Sequence, residues 1–261
     1  MLRIPSGICP IYKPIGMTSS FVVQHLRHIL EKELRSRTHA PSQRKQRILL
    51  KIGHGGTLDP LAEGVLIVGV GTGTKLLENY LKCEKKYSAG AMLGTATDTL
   101  DCTGKITQKS TYSHVTVETL HKNIPSFVGH IMQSPPAFSA VHVDGKRSYD
   151  LARQGQTVQH KERPIFVRNI YLDAFDAPEF RITVECGGGC YIRSLIHDLG
   201  LACGSHAHMT SLKRVQQGTF SIEESLHQEN WKFDAICRHI EDNSCKLNID
   251  RRVPAAEYAL R

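Results

Sequence analysis

The run Gly-His-Gly-Gly-Thr-Leu-Asp-Pro at residues 53–60 constrains this chain more than any other stretch. It lies shortly before an apolar run at residues 65–70, whose length is that of one buried strand. The three glycines allow a positive φ and the close approach of another group. Asp59 before Pro60 is also typical of an ordinary turn or a helix N-cap, which explains the pair without any function. The motif therefore predicts a tight loop that leads into a buried strand and presents one carboxylate.

The charge balance favours a polyanionic partner. The chain has 261 residues, enough for one large domain or two small ones, and its formal net charge is +8. Residues 34–51 contain no acid and six basic side chains, which are Arg35, Arg37, Arg44, Lys45, Arg47 and Lys51. Such a run is either a solvated loop or a set of phosphate contacts. No apolar run approaches the roughly 18 residues of a membrane span, so no membrane association is expected.

The eight cysteines are expected to be free thiols in a reducing compartment, because the N-terminus has no features of a secretory signal. Cys186-x3-Cys190 followed by Cys203-x2-His206 resembles a zinc ligand set. A triple glycine and a helical segment interrupt that set, so buried structural thiols are favoured and no metal is expected. The few residues before the ordered-looking sequence are too short for a transit peptide. The nucleus or the cytosol is therefore expected, rather than mitochondria.

Helices and strands alternate without a regular strand–helix–strand period, which favours an α+β fold over a doubly wound sheet. Helical periodicity predicts helices near residues 21–30, 117–124, 146–154, 191–201 and 229–240, and Thr74 is expected to cap a short helix. Strands are predicted near residues 65–70, 87–93, 165–174, 180–186 and 212–215, and residues 95–103 are predicted to form a polar loop. The glycine-rich run at 69–75 lacks the spacing of a nucleotide-binding loop, so no ATP or dinucleotide is expected.

A second unusual segment is Glu-Cys-Gly-Gly-Gly-Cys-Tyr-Ile-Arg-Ser at residues 185–194. It puts Arg193 in the first turn of a predicted helix, where a cation opposes the helix dipole unless an anion lies nearby. If Asp59 is that anion, the pair keeps one carboxylate ionised, and a lone carboxylate of this kind suits nucleophilic or electrostatic work at carbon. The run Lys-Lys-Tyr at 85–87 puts a ring beside two cations, which suits stacking on a base. The alternative for Tyr87 is a core tyrosine of a strand.

With these segments identified, the chain resembles the TruB family of pseudouridine synthases. The resemblance covers about residues 6–220. Within the family, the chain is most similar to the stand-alone animal branch, which has no PUA domain. It rests on motifs in the family's order and spacing, at residues 13–19 (Lys-Pro-x-Gly-x-Thr-Ser), 53–59, 86–87 (Lys-Tyr), 191–193 (Tyr-Ile-Arg) and 212–214 (Leu-Lys-Arg). It implies a pseudouridine synthase fold, with a mixed, mainly antiparallel sheet flanked by helices and loops. It also implies a catalytic domain at residues 6–240 and a C-terminal tail at 241–261.

The resemblance implies that the chain converts uridine 55 in the T-loop of tRNA to pseudouridine, with no cofactor and no metal. Asp59 then acts at C1′ of the ribose, either as a nucleophile or by promoting elimination to a glycal. Tyr87 stacks on the flipped base and helps to remove the C5 proton, and Arg193 pairs with Asp59. The residues implied at the uracil pocket or the RNA are His54, Gly55, Gly56, Leu212, Lys13, Lys86, Tyr191, Lys146, Arg147 and Arg153.

Within this set, Tyr191 is either a pocket residue or a packing residue. Lys146, Arg147 and Arg153 belong to the segment, about residues 133–157, that corresponds to the family's RNA-clamping loop. The basic run at 35–51 is expected to add RNA contacts that a PUA domain makes in bacterial members. The expected partner is the T-arm of tRNA bound by a monomer, and T-loop-like hairpins of messenger RNA are further candidate substrates.

Two other functions remain compatible with the sequence. A guide-dependent synthase of the dyskerin type shares the aspartate motif, but that group carries a PUA domain and basic tails. About forty residues after Phe220 are fewer than such a domain needs. A non-enzymatic RNA chaperone on the same scaffold would bind and refold tRNA, but it would not require Asp59, Tyr87 and Arg193.

Overall fold

A computed structural model describes residues 5–37, 50–143, 145–156, 158 and 160–250, and describes side chains for all of these except 37 and 245–250. The chain divides into two compact units. Unit 1 comprises Met1–Pro60, Val65–Tyr80 and Phe220–Arg261, and unit 2 comprises Leu61–Gly64 and Leu81–Thr219. Arg44, Lys45 and Arg47 of the predicted basic run lie outside the described residues. Arg35 is described, and its guanidinium lies 3.1 Å from the Glu31 carboxylate.

The strands are β1 (Gly7–Lys13), β2 (Ile52–His54), β3 (Glu63–Val70), β4 (Lys85–Leu93), β5 (Thr95–Thr97), β6 (Ile106–Lys109), β7 (Gly129–Gln133), β8 (His142–Val143), β9 (Lys146–Arg147), β10 (Arg163–Asp176), β11 (Glu179–Cys186), β12 (Ala207–Gln217) and β13 (Phe220–Ser221). The α-helices are α1 (Ser19–Arg37), α2 (Leu77–Lys82), α3 (Val117–Asn123), α4 (Ser148–Arg153), α5 (Ile192–Ala202) and α6 (Phe233–Asp250). Short 3₁₀ segments cover Gly71–Leu76, Ile124–Phe127 and Gln228–Asn230. Within the described ranges, no helix combines the length and the apolarity needed to cross a bilayer.

Unit 1 packs helices α1 and α6 against a small sheet. Strand β3 is hydrogen-bonded to β1, and its residues 68–70 pair antiparallel with β2. Helix α1, predicted near residues 21–30, begins at Ser19, and the Thr18 hydroxyl accepts a hydrogen bond of 3.0 Å from the Phe21 N–H. Apolar residues at helical spacing turn one face of each helix into the core. The buried members of these faces include Val22, Leu26, Leu30, Ile236 and Ile240.

Unit 2 is built on an antiparallel sheet with the strand order β12-β4-β11-β10-β7. The first residues of β3 add a parallel pairing, with Glu63 opposite Lys213 and Gly64 opposite Arg214. In β4 and β11, buried residues alternate with more exposed ones, as the sequence predicts for half-buried strands. The sheet is thus mixed and mainly antiparallel, and helices flank it. The predicted α+β class is confirmed.

Three local predictions differ from the structure. Thr74 lies inside a 3₁₀ segment and its hydroxyl donates to a carbonyl three residues earlier, so it does not cap α2. Residues 95–97 form strand β5, because pairing with β6 decides a segment whose own sequence signal is weak. The last helix begins at Phe233 rather than before Trp231. The buried Trp231 indole instead donates a hydrogen bond of 3.0 Å to the Leu226 carbonyl.

Candidate active site

Asp59 is half-buried in the loop between β2 and β3, and the backbone is anchored on both sides of it. The buried Ser19 hydroxyl accepts a hydrogen bond of 2.9 Å from the Leu58 N–H and donates one of 3.1 Å to the Leu58 carbonyl. On the other side, the Gly16 N–H donates to the Pro60 carbonyl at 2.8 Å. The predicted turn at Asp59–Pro60 is therefore confirmed, and its carboxylate is carried by a fixed backbone.

The turn that anchors this loop is itself held by Lys13. The Lys13 ammonium is fully buried and donates to the carbonyls of Pro14, at 3.0 Å, and Met17, at 2.7 Å. A buried cation needs such acceptors, because desolvation otherwise makes its burial unfavourable. The Lys-Pro-x-Gly-x-Thr-Ser motif thus supports the loop of Asp59. The role of Lys13 in substrate binding stays a prediction.

The glycines before Asp59 have internal structural reasons. Gly56 has a φ of +135°, which side-chain-bearing residues rarely adopt. A Cβ at Gly55 would lie 2.8 Å from the Cβ of Tyr80, so packing inside unit 1 already requires glycine there. His54 is half-buried and pairs with Val68 in the β2–β3 ladder. The contacts of these three residues with a substrate stay predictions.

Tyr87 lies in unit 2, in the middle of the sheet, with Val184 opposite it on β11 and Arg214 opposite it on β12. Its side chain is buried, and the Arg214 guanidinium, also buried, donates a hydrogen bond to its hydroxyl. Burial raises the pKa of the Tyr87 phenol above its ordinary value, the charge of Arg214 opposes this, and the thiols of Cys186 and Cys190 add to it. One cation and two thiols therefore lie close enough to the phenol to act on its charge.

The two lysines before Tyr87 lie on opposite faces of β4, since strand side chains alternate. Lys85 shares the buried face of Tyr87 and donates to two backbone carbonyls of the preceding turn, at 3.0 and 2.6 Å, and burial lowers its pKa. Lys86 lies on the other face, 2.9 Å from the Glu185 carboxylate. That hydrogen bond raises the pKa of Lys86 and lowers the pKa of Glu185. Only Lys85 therefore shares a face of β4 with the Tyr87 ring, and the predicted stacking of that ring on a base stays a prediction.

Arg193 lies in the first turn of α5, as predicted, and is buried. Its Nη1 donates to the Thr99 carbonyl at 2.9 Å, and its Nη2 donates to the Phe138 carbonyl at 3.0 Å. The Asp101 carboxylate lies 3.9 Å from Nη1. An anion near this cation is what its place at a helix start requires, and within unit 2 Asp101 supplies one. Asp59 belongs to unit 1, so its predicted pairing with Arg193 stays a prediction.

Sequence reasoning missed Asp101, because it treated residues 95–103 as an unspecific polar loop. The buried Asp101 carboxylate accepts hydrogen bonds from the Thr99 hydroxyl, at 2.8 Å, and the Thr103 N–H, at 2.9 Å. Leu100, between Thr99 and Asp101, has a φ of +61°. The signal available in the sequence was an acid spaced between threonines, which is typical of a side chain that organises its own turn.

Tyr191 is fixed through its backbone by one side chain. Its N–H donates to the Gln133 amide oxygen at 2.8 Å, and its carbonyl accepts from the Gln133 amide nitrogen at 3.0 Å. The Arg163 guanidinium lies 5.3 Å from the centre of its ring. The two roles that the sequence left open for the Tyr191 ring, in the pocket or in packing, stay predictions. Leu212 is buried on β12, opposite Ala89.

The predicted phosphate contacts are all exposed. Lys146 and Arg147 form β9, which pairs with β8 in a small hairpin. Arg153 ends α4, and its guanidinium lies 5.4 Å from the centre of the Tyr149 ring. Every cysteine whose side chain is described is a free thiol. Among the residues with described positions, no group of three or more His, Cys, Asp and Glu side chains is arranged to hold a metal ion.

Comparison with known proteins decides the family. Residues 43–192 match the family model "TruB family pseudouridylate synthase (N terminal domain)". The chain belongs to the TruB family. Residues 193–261 match a second model, "tRNA pseudouridylate synthase B C-terminal domain". Residues of both units therefore fall within the TruB matches.

Similar TruB relatives come from animals and bacteria. The pseudouridylate synthase TRUB1 of Homo sapiens is 43% identical, over 90% of this chain and 68% of that protein. The tRNA pseudouridine synthase B of Bacteroides fragilis is 41% identical, over 82% of this chain and 87% of that protein. A chain in the crystal structure of a Cbf5-Nop10-Gar1 complex matches with a TM-score of 0.62 and 29% identity over 86% of this chain, which spans 53% of that one. This TruB chain is a pseudouridine synthase, an isomerase, with the fold that the resemblance implied.

Proposed function

We propose that this pseudouridine synthase isomerises the uridine at position 55 in the T-loop of tRNA, with Asp59 as the group that acts at C1′ of the ribose. The observation that carries the proposal is the anchored Asp59 loop, in which Leu58 and Pro60 are each hydrogen-bonded to the segment after β1. A carboxylate on a fixed backbone can be aligned with a reacting carbon without further ordering, which is a large part of catalysis by positioning. The bacterial relative named above is a tRNA pseudouridine synthase, which supports the choice of substrate.

The chemistry requires three events at the target nucleotide. The N1–C1′ bond breaks, the uracil turns, and C5 forms a bond to C1′. The base must leave its stack before any of this, at a cost of a few kcal/mol. Asp59 serves the first event, either by adding to C1′ or by promoting elimination to a glycal, and Tyr87 takes the proton that C5 must lose after the third.

The RNA is bound through its phosphates and through its shape. The net charge of +8 and the exposed Lys146, Arg147 and Arg153 support this binding mode. We extend the proposal to T-loop-like hairpins of messenger RNA, which present the same shape. We also propose that the protein acts as a monomer in the nucleus or the cytosol.

A guide-dependent activity is the second candidate, because the matched crystal structure is a Cbf5-Nop10-Gar1 complex. The identity to that chain is 29%, against 43% for TRUB1. The larger identity favours action on tRNA without a guide. An assay that contains only the enzyme and a tRNA transcript separates the two, because a guide-dependent enzyme would be inactive in it.

The experiment follows tritium released from C5 of the uridines in an unmodified tRNA transcript. We expect release by the wild-type enzyme and none from a transcript in which residue 55 is cytidine. Asp59→Asn should lower the rate by about 10⁴-fold or more, as the loss of a reacting group does. Asp173→Asn, which alters an exposed carboxylate of β10, should keep the wild-type rate.

Release at the wild-type rate by Asp59→Asn would overturn the role of Asp59. If the wild-type enzyme binds the transcript but releases no tritium, the proposed activity is wrong. A chaperone function would then be tested by the refolding of misfolded tRNA.

A further inference from the structure

Arg214 is a fully buried cation that lies opposite Tyr87. Only 1% of Arg214 is exposed, and the two residues are directly paired in the β4–β12 ladder. The Arg214 guanidinium donates a hydrogen bond to the Tyr87 hydroxyl. Burying a guanidinium is unfavourable unless its surroundings compensate for the lost hydration. The phenol is one group that does so here.

The backbone of Arg214 is fixed from both sides. It pairs with Tyr87 on β4 and, in parallel, with Gly64 at the start of β3. The approach to Gly64 is so close that a Cβ on that residue would lie 2.3 Å from the Arg214 carbonyl oxygen. The backbone from which the Arg214 side chain extends is therefore fixed on both edges of its strand.

We propose that Arg214 is a positioning residue for Tyr87, which holds the phenol oxygen in place and stabilises the negative charge on that oxygen before it takes the C5 proton. This inference rests on the proposed function, because it needs Tyr87 to be the group that accepts this proton. It adds a residue that acts only through Tyr87 and does not itself touch the substrate.

The charges around Tyr87 explain why a cation is needed there. The groups that act on the phenol are Arg214 on β12, Cys186 on β11 and Cys190 in the loop that follows β11. Burial and the two thiols raise the pKa of the phenol, whereas Arg214 lowers it through its charge and its hydrogen bond. Without Arg214, burial and the two thiols would raise the pKa of the phenol with no charge of Arg214 to oppose them. Lys85, near Arg214, directs its ammonium to backbone carbonyls instead.

Proton transfer follows the formation of the C5–C1′ bond. Once C5 is bonded to C1′, the ring has an N1=C6 double bond, and C5 still carries its proton. The base is the small fraction of Tyr87 that has lost its proton to solvent, a fraction that Arg214 enlarges by stabilising the phenolate, and this phenolate takes the C5 proton. The C5–H electron pair becomes the C5=C6 bond, the former N1=C6 pair moves to N1, and N1 takes a proton from water.

The test compares Arg214→Met, Arg214→Lys and the wild type in single turnovers on tRNA with protium or deuterium at C5 of the uridines. In Arg214→Met, C5 deprotonation should become rate-limiting. The rate should then fall by about 10²-fold, and a deuterium isotope effect should appear that is larger than that of the wild type. Arg214→Lys should recover part of the rate and reduce the isotope effect. Lys85→Met, which removes a buried cation from the same strand pair, should keep the isotope effect of the wild type.

A slower Arg214→Met without an increased isotope effect, or one that reacts as fast as the wild type, would overturn the inference. If Arg214→Met does not fold, as judged by its circular dichroism and unfolding transition, Arg214→Lys alone decides, because an unchanged isotope effect in that variant contradicts the proposal. The failure of the proposed function is separate. In that case, the wild type itself releases no tritium, or Asp59→Asn releases it at the wild-type rate.

Discussion

Lys13 at the end of β1 and Arg214 in β12 are both fully buried cations, but they have different partners. Lys13 donates to the carbonyls of its own turn, whose protonation never changes. Arg214 donates to a phenol, whose oxygen can gain or lose a proton. Burial of a charge is therefore not in itself a sign of catalysis. The chemistry of the acceptor distinguishes a cation that holds a backbone from one that can tune a reacting group.

The largest effect on stability is expected where the backbone of Arg214 meets Gly64. In Gly64→Ala, the new Cβ would lie 2.3 Å from the Arg214 carbonyl oxygen at a φ of +106°, so β3 and β12 must separate. The free energy of unfolding should fall by about 3 kcal/mol or more, measured by urea denaturation. Gly129→Ala is the matched control, because Gly129 has a similar φ of +97° and a Cβ added there would meet no atom of a neighbouring segment within 4 Å. Equal losses in the two variants would show that φ, rather than the strand contact, is what matters.

Removal of Lys13 should lower stability less than Gly64→Ala does, and its kinetic effect should differ from that of Arg214→Met. Lys13→Met leaves the Pro14 and Met17 carbonyls without this donor, so unfolding should become easier by about 2–3 kcal/mol. The reaction should slow, because the turn that anchors the Asp59 loop loses its support. The C5 isotope effect should stay that of the wild type. Lys109→Met, at an exposed position of β6, controls for the loss of a positive charge. An increased isotope effect in Lys13→Met would break the distinction between the two cations.

The smallest effect is expected for the half-buried ion pair of Lys86 and Glu185 near Tyr87. The Lys86 ammonium lowers the pKa of Glu185 below its ordinary value of 4.5, so the pair stabilises the fold above that pH. This contribution is lost as the pH falls through the lowered pKa of the folded state. Glu185→Gln should thus reduce stability by less than about 1 kcal/mol at pH 7, and the difference from wild type should shrink below pH 4.5.

Urea denaturation at pH 7 and at a pH below 4 measures this difference. Glu179→Gln, an exposed residue of the same strand, provides the control. If Glu185→Gln lowers the free energy of unfolding at pH 7 as much as Lys13→Met does, partial exposure does not weaken the pair. Burial would then not explain why the cations differ in their effect on stability.

Local sequence patterns predicted the features that depend on residues close in the sequence, such as strands and the start of a helix. The strand predicted near residues 180–186 and the place of Arg193 at a helix start are confirmed by the structure. The partners of these residues were not predictable in the same way. Arg214 faces Tyr87 because of the register of two strands that are far apart in the chain, and no single-strand pattern encodes that register.

The side on which a lysine lies is likewise settled by the sheet. In the sequence, the run Lys-Lys-Tyr puts a ring beside two cations. In the strand, side chains alternate, so Lys85 lies on the buried face and Lys86 on the more exposed face. Asp101 was missed for a related reason. The role of Asp101 depends on its contact with Arg193, which belongs to a helix far away in the sequence.

Leu100 lies between β5 and β6, in the turn that contacts Arg193, and its strained backbone limits how this turn can evolve. A leucine at a φ of +61° carries a conformational cost that glycine would avoid. The turn that it closes presents the Thr99 carbonyl and the Asp101 carboxylate, two residues apart, to one guanidinium. Selection for thermal endurance alone would favour relaxing this turn, whereas selection for an unchanging Arg193 would preserve it. The two pressures therefore conflict at a single residue of this turn.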